Sequence, residues 1–178
     1  ADGPAPATPD TVHAGYAPWL EGAVEQFGRF TNRQIEGRFR VFLAEAYLRL
    51  GRLDEARRSG ADGLEMCRAT GFAYGTGLGE RALGEVSLAA GRLDEAATHL
   101  GRARELFAGM GSRHEVTRTT LALAALAHAR GEAAQATRLL EAARVAFQAR
   151  GMPARGARAE GLARAWAPHA GDAGARPS

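Results

Sequence analysis

The stretch GTGLGERALG, Gly75–Gly84, is where backbone chemistry is first conceivable, because clustered glycines let main-chain N–H groups close around a phosphate. Its spacing is G-x-G-x-G rather than G-x-G-x-x-G, and no strand pattern precedes it. No lysine follows, since the chain contains none. The stretch therefore reads as the Gly-rich start of a helix. His13, His99, His114, His128 and His169 are scattered, with no H-E-x-x-H and no His/Cys cluster of the kind zinc requires. His114 and Glu115 are neighbours in sequence, so on a helix they point about 100° apart and make a poor shared site. Cys67 is the single cysteine, which excludes an internal disulfide and a cysteine metal cage. With a distant histidine it would form a nucleophile pair, but a lone helical cysteine reads as a small buried apolar group. Ser59, Ser87 and Ser112 lie in no nucleophile-elbow context. The expectation is a non-enzyme that uses no metal and no cofactor.

What would position these residues is helical. The 178 residues suit one domain or one short repeat array. Hydrophobic residues make up 46% and aromatics 7%, so a core must be built mainly from Ala and Leu, and such a composition favours helices. The 23 glycines are many for an all-helical chain and belong between helices or at crowded contacts. Net charge is +3, too small to argue for nucleic-acid binding by itself. Residues 142–178 nevertheless carry six Arg against two acids. Nucleic-acid contact through Arg144, Arg150, Arg155, Arg158 and Arg164 is therefore the least favoured of three readings. No run approaches a membrane span and no signal-peptide pattern opens the chain, so the expected location is cytoplasmic.

The hexapeptide GRLDEA occurs at Gly51–Ala56 and again at Gly91–Ala96, forty residues on. Sliding the chain by that period aligns three copies, "LAEAYLRLGRLDEA" from Leu43, "LGEVSLAAGRLDEA" from Leu83 and "LALAALAHARGEAAQA" from Leu121, aligned at Leu123. Gly51, Gly91 and Gly131 fall in register, as do Gly71, Gly111 and Gly151, and Ala56, Ala96 and Ala136. A period of this size signals stacked repeats. Leu43, Ala46, Tyr47 and Leu50 recur at helical spacing, and Gly51 then offers a left-handed stop. Asp54 and Glu55 place negative charge in the next helix's first turn, where the dipole favours it. Each unit is a helix hairpin with glycine at both corners.

These columns resemble the tetratricopeptide repeat: a Leu followed by Gly or Ala, an Ala thirteen positions later and a large apolar residue four further on. The second copy supplies Leu83, Gly84, Ala96 and Leu100; the third Leu123, Ala124, Ala136 and Leu140; the first Leu43, Ala44, Tyr47 and Ala56, with Gly60 in the large apolar position. The family's Trp is replaced by Arg40, Glu80 and Thr120. The resemblance implies an all-α right-handed superhelix of stacked antiparallel hairpins, with about seven to eight helices. It divides the chain into a flexible lead-in, 1–11; a partial N-terminal repeat, 12–31, whose helix opens at Pro18 and carries the stripe Trp19, Leu20, Val24 and Phe27; repeats at 32–71, 72–111 and 112–152; a capping helix, 153–167, bearing Leu162 and Trp166; and a flexible tail, 168–178.

The period also resembles that of arrays near the C-terminal ends of large bacterial signal-transduction ATPases, cyclases and transcriptional regulators. That implies an interaction module holding a peptide, a protein, or other domains of the same parent chain. The family's concave positions fall on Arg38, Val41, Glu45, Leu48, Arg49, Leu78, Arg81, Glu85, Leu88, Arg118, Leu121, Ala125 and His128. Arg forks there would grip carboxylates while Leu patches bury apolar side chains. Self-association through the end near Trp19–Phe27 is the second reading.

Overall fold

The computed structural model describes residues 9–29 and 32–166. Among them run eight α-helices and no strand: α1 Pro9–Arg29, α2 Arg33–Arg49, α3 Leu53–Ala69, α4 Ala73–Ala89, α5 Leu93–Gly109, α6 Arg113–Ala129, α7 Ala133–Gln148 and α8 Pro153–Trp166.

The glycine corners are built alike. Gly51, Gly71, Gly91, Gly111, Gly131 and Gly151 all have φ between 64° and 77°, the left-handed region that costs an L-side chain about 1–2 kcal/mol. At the first corner Gly51 N–H donates to the Leu48 carbonyl at 3.1 Å and Arg52 N–H to the Tyr47 carbonyl at 2.9 Å. This pair of bonds satisfies carbonyls that a helix end would otherwise orphan. The same pair recurs at Gly91, where Arg92 N–H reaches the Ser87 carbonyl at 2.9 Å. The rest of the repeated hexapeptide then finds its use. Arg52 pairs with Glu55 and Arg92 with Glu95 three residues on, and Ala56 and Ala96 are wholly buried.

One helix, α1, differs from expectation. Helix α1 starts at Pro9, so Pro9, Asp10 and Thr11 belong to it rather than to a lead-in. Pro18 lies inside α1 and does not open it. An interior proline forfeits a hydrogen bond and crowds the preceding turn at a cost of about 3 kcal/mol. Pro18 is exposed, and its neighbours Ala17 and Leu20 are buried at 2% exposure each, which holds the helix through that point. The stripe also divides: Leu20 and Val24 are buried, whereas Trp19 is 59% exposed. Residues 1–8 and 167–178 lie outside the described residues.

The chain divides into two compact units, Ala1–Thr119 and Thr120–Ser178, the border falling within α6. In the first, α2 packs on α3 and α4 on α5 as hairpins, α3 packs on α4, α1 on α2, and α2 on α4. Small residues let the backbones approach. A Cβ on Gly63 would stand 2.7 Å from the Gly37 carbonyl oxygen, and one on Gly84 would stand 2.7 Å from the Leu100 side chain. In the second unit Ala124, Leu140 and Ala159 form a buried cluster against which Leu121, Leu139, Leu162 and Trp166 pack. The Trp166 ring stacks on His128, with centroids 4.4 Å apart and planes 10° from parallel.

Candidate functional site

Within the first unit, the first helices of the hairpins are joined through one buried guanidinium. Arg81 on α4 is fully buried. Its Nη1 donates to Glu115 at the start of α6, and its Nη2 donates to Glu45 on α2 at 3.1 Å. Glu85, one turn along α4, stands 4.0 Å from its Nε, and the Phe107 ring lies 5.6 Å beneath it. Arg118 reaches the same two acids, at 3.4 Å to Glu115 and 3.7 Å to Glu45, while the Tyr74 hydroxyl donates to Glu115 at 3.0 Å. Burying a charge costs several kcal/mol per ion unless partners close around it, and here two guanidinium groups face three carboxylates. Burial works against the charged form of Arg81, but Glu45, Glu85 and Glu115 outweigh it and raise its pKa. Burial likewise pushes the Glu115 carboxyl up, and Arg81 and Arg118 pull it below the ordinary carboxylate value.

A second charged cluster occupies a position where the resembled family has its Trp. Glu80 is 1% exposed, bonds Arg68 of α3, and meets His99 Nδ1 of α5 at 2.7 Å. Burial raises its pKa, and the His99 and Arg68 contacts reverse the balance and hold it low. Here a charged tie joins α3, α4 and α5.

Between α1 and α2 opens a cleft of about 430 Å³ lined by Tyr16, Trp19, Leu20, Phe39, Phe42, Glu45, Ala46 and Arg49. Tyr16 and Trp19 are 54% and 59% exposed, an unusual outlay of aromatic surface to water. The rings form a chain, Tyr16 to Trp19 at 5.6 Å, Trp19 to Phe39 at 6.0 Å and Phe39 to Phe42 at 6.1 Å. At the Phe39 end lies Arg38, its guanidinium carbon 6.0 Å from that ring, with a buried Nε that has no hydrogen-bond partner.

The expected partner-contact residues thus divide by burial. Val41, Leu78 and Arg81 are buried, at 0%, 3% and 0% exposure, and hold the first helices together. Arg38, Glu45, Leu48, Glu85, Leu88 and Arg118 are half-buried and Arg49 is exposed. Leu121, Ala125 and His128 belong to the other unit, Leu121 and Ala125 half-buried and His128 exposed beneath Trp166. Of the Arg-rich segment, Arg144 pairs with Glu141 and Arg150 donates to the Ala146 carbonyl. Arg164 is exposed, and the side chains of Arg155 and Arg158 lie outside those described. Sequence reasoning missed Tyr16, Phe39 and Phe42 as surface residues. The available signal was Y-x-x-W on α1 beside F-x-x-F on α2, paired aromatics at helical spacing. Gly75, Gly77, Gly79 and Gly84 sit inside α4, buried against neighbouring helices, so the glycine stretch cradles side chains and not a phosphate.

The family model for the tetratricopeptide repeat matches residues 37–59, 79–102 and 117–142, one match per hairpin, each enclosing one of the corners Gly51, Gly91 and Gly131. The chain belongs to the tetratricopeptide repeat family. No curated protein matches the sequence. Each repeat match begins in a first helix and ends in the second, at α2–α3, α4–α5 and α6–α7. The repeat fold is generally a non-catalytic, protein-interacting one. Among the described residues no group of three or more His, Cys, Asp or Glu side chains could hold a metal ion, and no helix is long and apolar enough to cross a membrane.

Proposed function

We propose that this repeat module binds a segment of a protein partner on the face formed by α2, α4 and the start of α6, and performs no catalysis. The observation that carries the reading is the Arg81 clasp. By tying Glu45 of α2 and Glu115 of α6 to α4, it makes three first helices one wall. In this reading the wall carries Leu48, Glu85, Leu88 and Arg118, all half-buried, together with exposed Arg49. Its mixture of apolar patches and charges suits an extended or helical segment, whose ordering cost falls when the receiving surface is already rigid. Val41, Leu78 and Arg81 act in this reading as support behind the wall. The forty-residue period supports a place in the C-terminal regulatory region of a larger bacterial signalling or transcription-regulating protein, in the cytoplasm.

The test is affinity capture from the native cytoplasm, comparing the wild-type chain with the Leu88→Glu/Arg118→Ala variant after circular dichroism has shown both folded. Proteins recovered by the wild type and lost with the variant support the wall as the binding face. Equal recovery refutes it.

A further inference from the structure

A second hollow, of about 620 Å³, is lined by α3, α4 and α5. Its volume falls within the range of ligand pockets, about 300–1,000 Å³. Helix α4 contributes Thr76 and the buried Glu80, and α3 contributes Arg68. Helix α5 contributes Leu106, Gly109 and Met110, with the charges of Arg102 and Glu105. Leu106 is half-buried, Met110 is 38% exposed, and a Cβ added to Gly109 would meet nothing within 4 Å. The α5 side is thus largely apolar and unfilled.

The repeat period shows what this hollow lacks. Forty residues before Glu80 and Arg102 stand Arg40 on α2 and Asp62 on α3. There the two charges meet: Arg40 pairs with Asp62 at 3.5 Å and with Glu36 at 2.7 Å. In the next hairpin the signs are exchanged, with the acid on the first helix and the base on the second. The equivalent pair does not form. Glu80 accepts from Arg68 on one oxygen, and its other oxygen lies 2.7 Å from His99 Nδ1. Arg102 is left exposed, and among the described residues it pairs with no carboxylate. Glu105, one turn along α5, is also exposed and does not pair with it. Both hairpins have described helices before and after them, so the contrast does not arise from an end of the chain.

An acid supplied from outside would complete the pair that Glu80 forgoes. An exposed ion pair adds little affinity by itself, and apolar groups that cover it and exclude water strengthen it. Leu106 and Met110 offer the surface on which such groups would rest. Arg68, Arg102, Glu105, Gly109 and Met110 are all exposed, so the hollow is open along α5. Sites for free small molecules enclose about 70–90% of the ligand, whereas an open strip suits a chain segment that gains contact along its length.

We propose that this hollow docks a short segment of a protein partner, with an acidic side chain on Arg102 and large apolar side chains over Leu106 and Met110. Glu105 disfavours a second acid beside the first. The site goes beyond the wall proposed above, since Leu48, Glu85, Leu88 and Arg118 do not line it.

Random peptides displayed on phage and selected on the immobilised full chain supply the probe. The expected winners carry one acid flanked by leucine, methionine or phenylalanine. Measured by fluorescence anisotropy, such a peptide should bind Arg102→Glu at least tenfold more weakly than the parent chain. Gly109→Phe, which puts a ring into the open space, should weaken it as much, with circular dichroism showing both variants folded. Replacing the peptide's acid by lysine should cost the same factor against the parent chain, and the loss should be regained against Arg102→Glu. No enriched peptide, winners without an acid, or an affinity that neither variant changes overturns the proposal. A peptide that fails on Leu88→Glu/Arg118→Ala and binds both hollow variants normally sits on the wall; the hollow is then refuted and the wall stands. A chain that dimerises in sedimentation, and loses the dimer in Arg102→Glu, has a second copy as occupant and overturns the proposal too.

Discussion

Arg81 shows how a residue that looks like surface in the sequence becomes the centre of a packing arrangement. Its partners Glu45 and Glu115 lie 36 and 34 residues away, on different helices. Removing the guanidinium while leaving the acids strands buried carboxylates, so Arg81→Met should destabilise the chain by about 3–5 kcal/mol in urea unfolding at neutral pH. The acid response follows from the same contact. The Glu115 carboxyl is held below its ordinary value of 4.5 in the folded chain, so the unfolded chain binds more protons in that range. The stabilisation is therefore complete above about pH 4.5 and drains away as pH falls through the lower, folded value. Arg81→Met, lacking the cation, should lose less stability than the wild type over that interval; an equally steep acid limb would show that Arg81 does not set the Glu115 proton affinity.

At the level of the helices, glycine has two opposite roles that spacing alone does not separate. Gly63 sits where α3 crosses α2, and a methyl group there would meet the backbone oxygen of Gly37, which has no freedom to give way. Gly101, in the middle of α5, has nothing within 4 Å of an added Cβ. Gly101→Ala should therefore stabilise the chain by about 1 kcal/mol, by helix propensity and a less disordered unfolded state. Gly63→Ala should destabilise it by about 1–3 kcal/mol through overpacking. Thermal melts of the two variants moving in the same direction would refute this. The hairpins and their corners were legible in the sequence because a left-handed glycine leaves the same mark each time. The route of α1 through Pro18 was not, since the anchoring burial of Ala17 and Leu20 depends on a helix packed from elsewhere. The burial of Arg81 was hidden for a related reason: helical spacing says which side a residue is on, and not which acids wait there. The stripe on α1 was read one position too wide, because Trp19 and Leu20 are neighbours and a helix sends neighbours to different faces.

For the molecule as a whole, stability is shared between neighbours within each unit: α1 to α5 pack on one another in the first, and α8 packs on α7 in the second. The last helix described has little of its own to rely on. Helix α8 is 14 residues long, carries Gly156 and Gly161, and is below the length at which an isolated helix holds together. It depends on Leu162 and Trp166 against α6 and α7, with His128 stacked on the indole. Trp166→Ala should raise amide exchange across residues 157–166 at least tenfold, with little change in α2 and α3. Unchanged protection would mean that Leu162 and Ala159 suffice.

The six glycine corners carry one more implication. An added Cβ at any of them finds nothing within 4 Å, and each joint is closed by its own backbone bonds. A bend that its own backbone closes around the glycine says little about which hairpin should follow. The order of the units must then be written on their flanks, in the Gly63 crossing and in the Glu45 contact that Arg81 recognises. Recombination between corners would leave every bend able to form and put the whole burden of correct assembly on those matching faces.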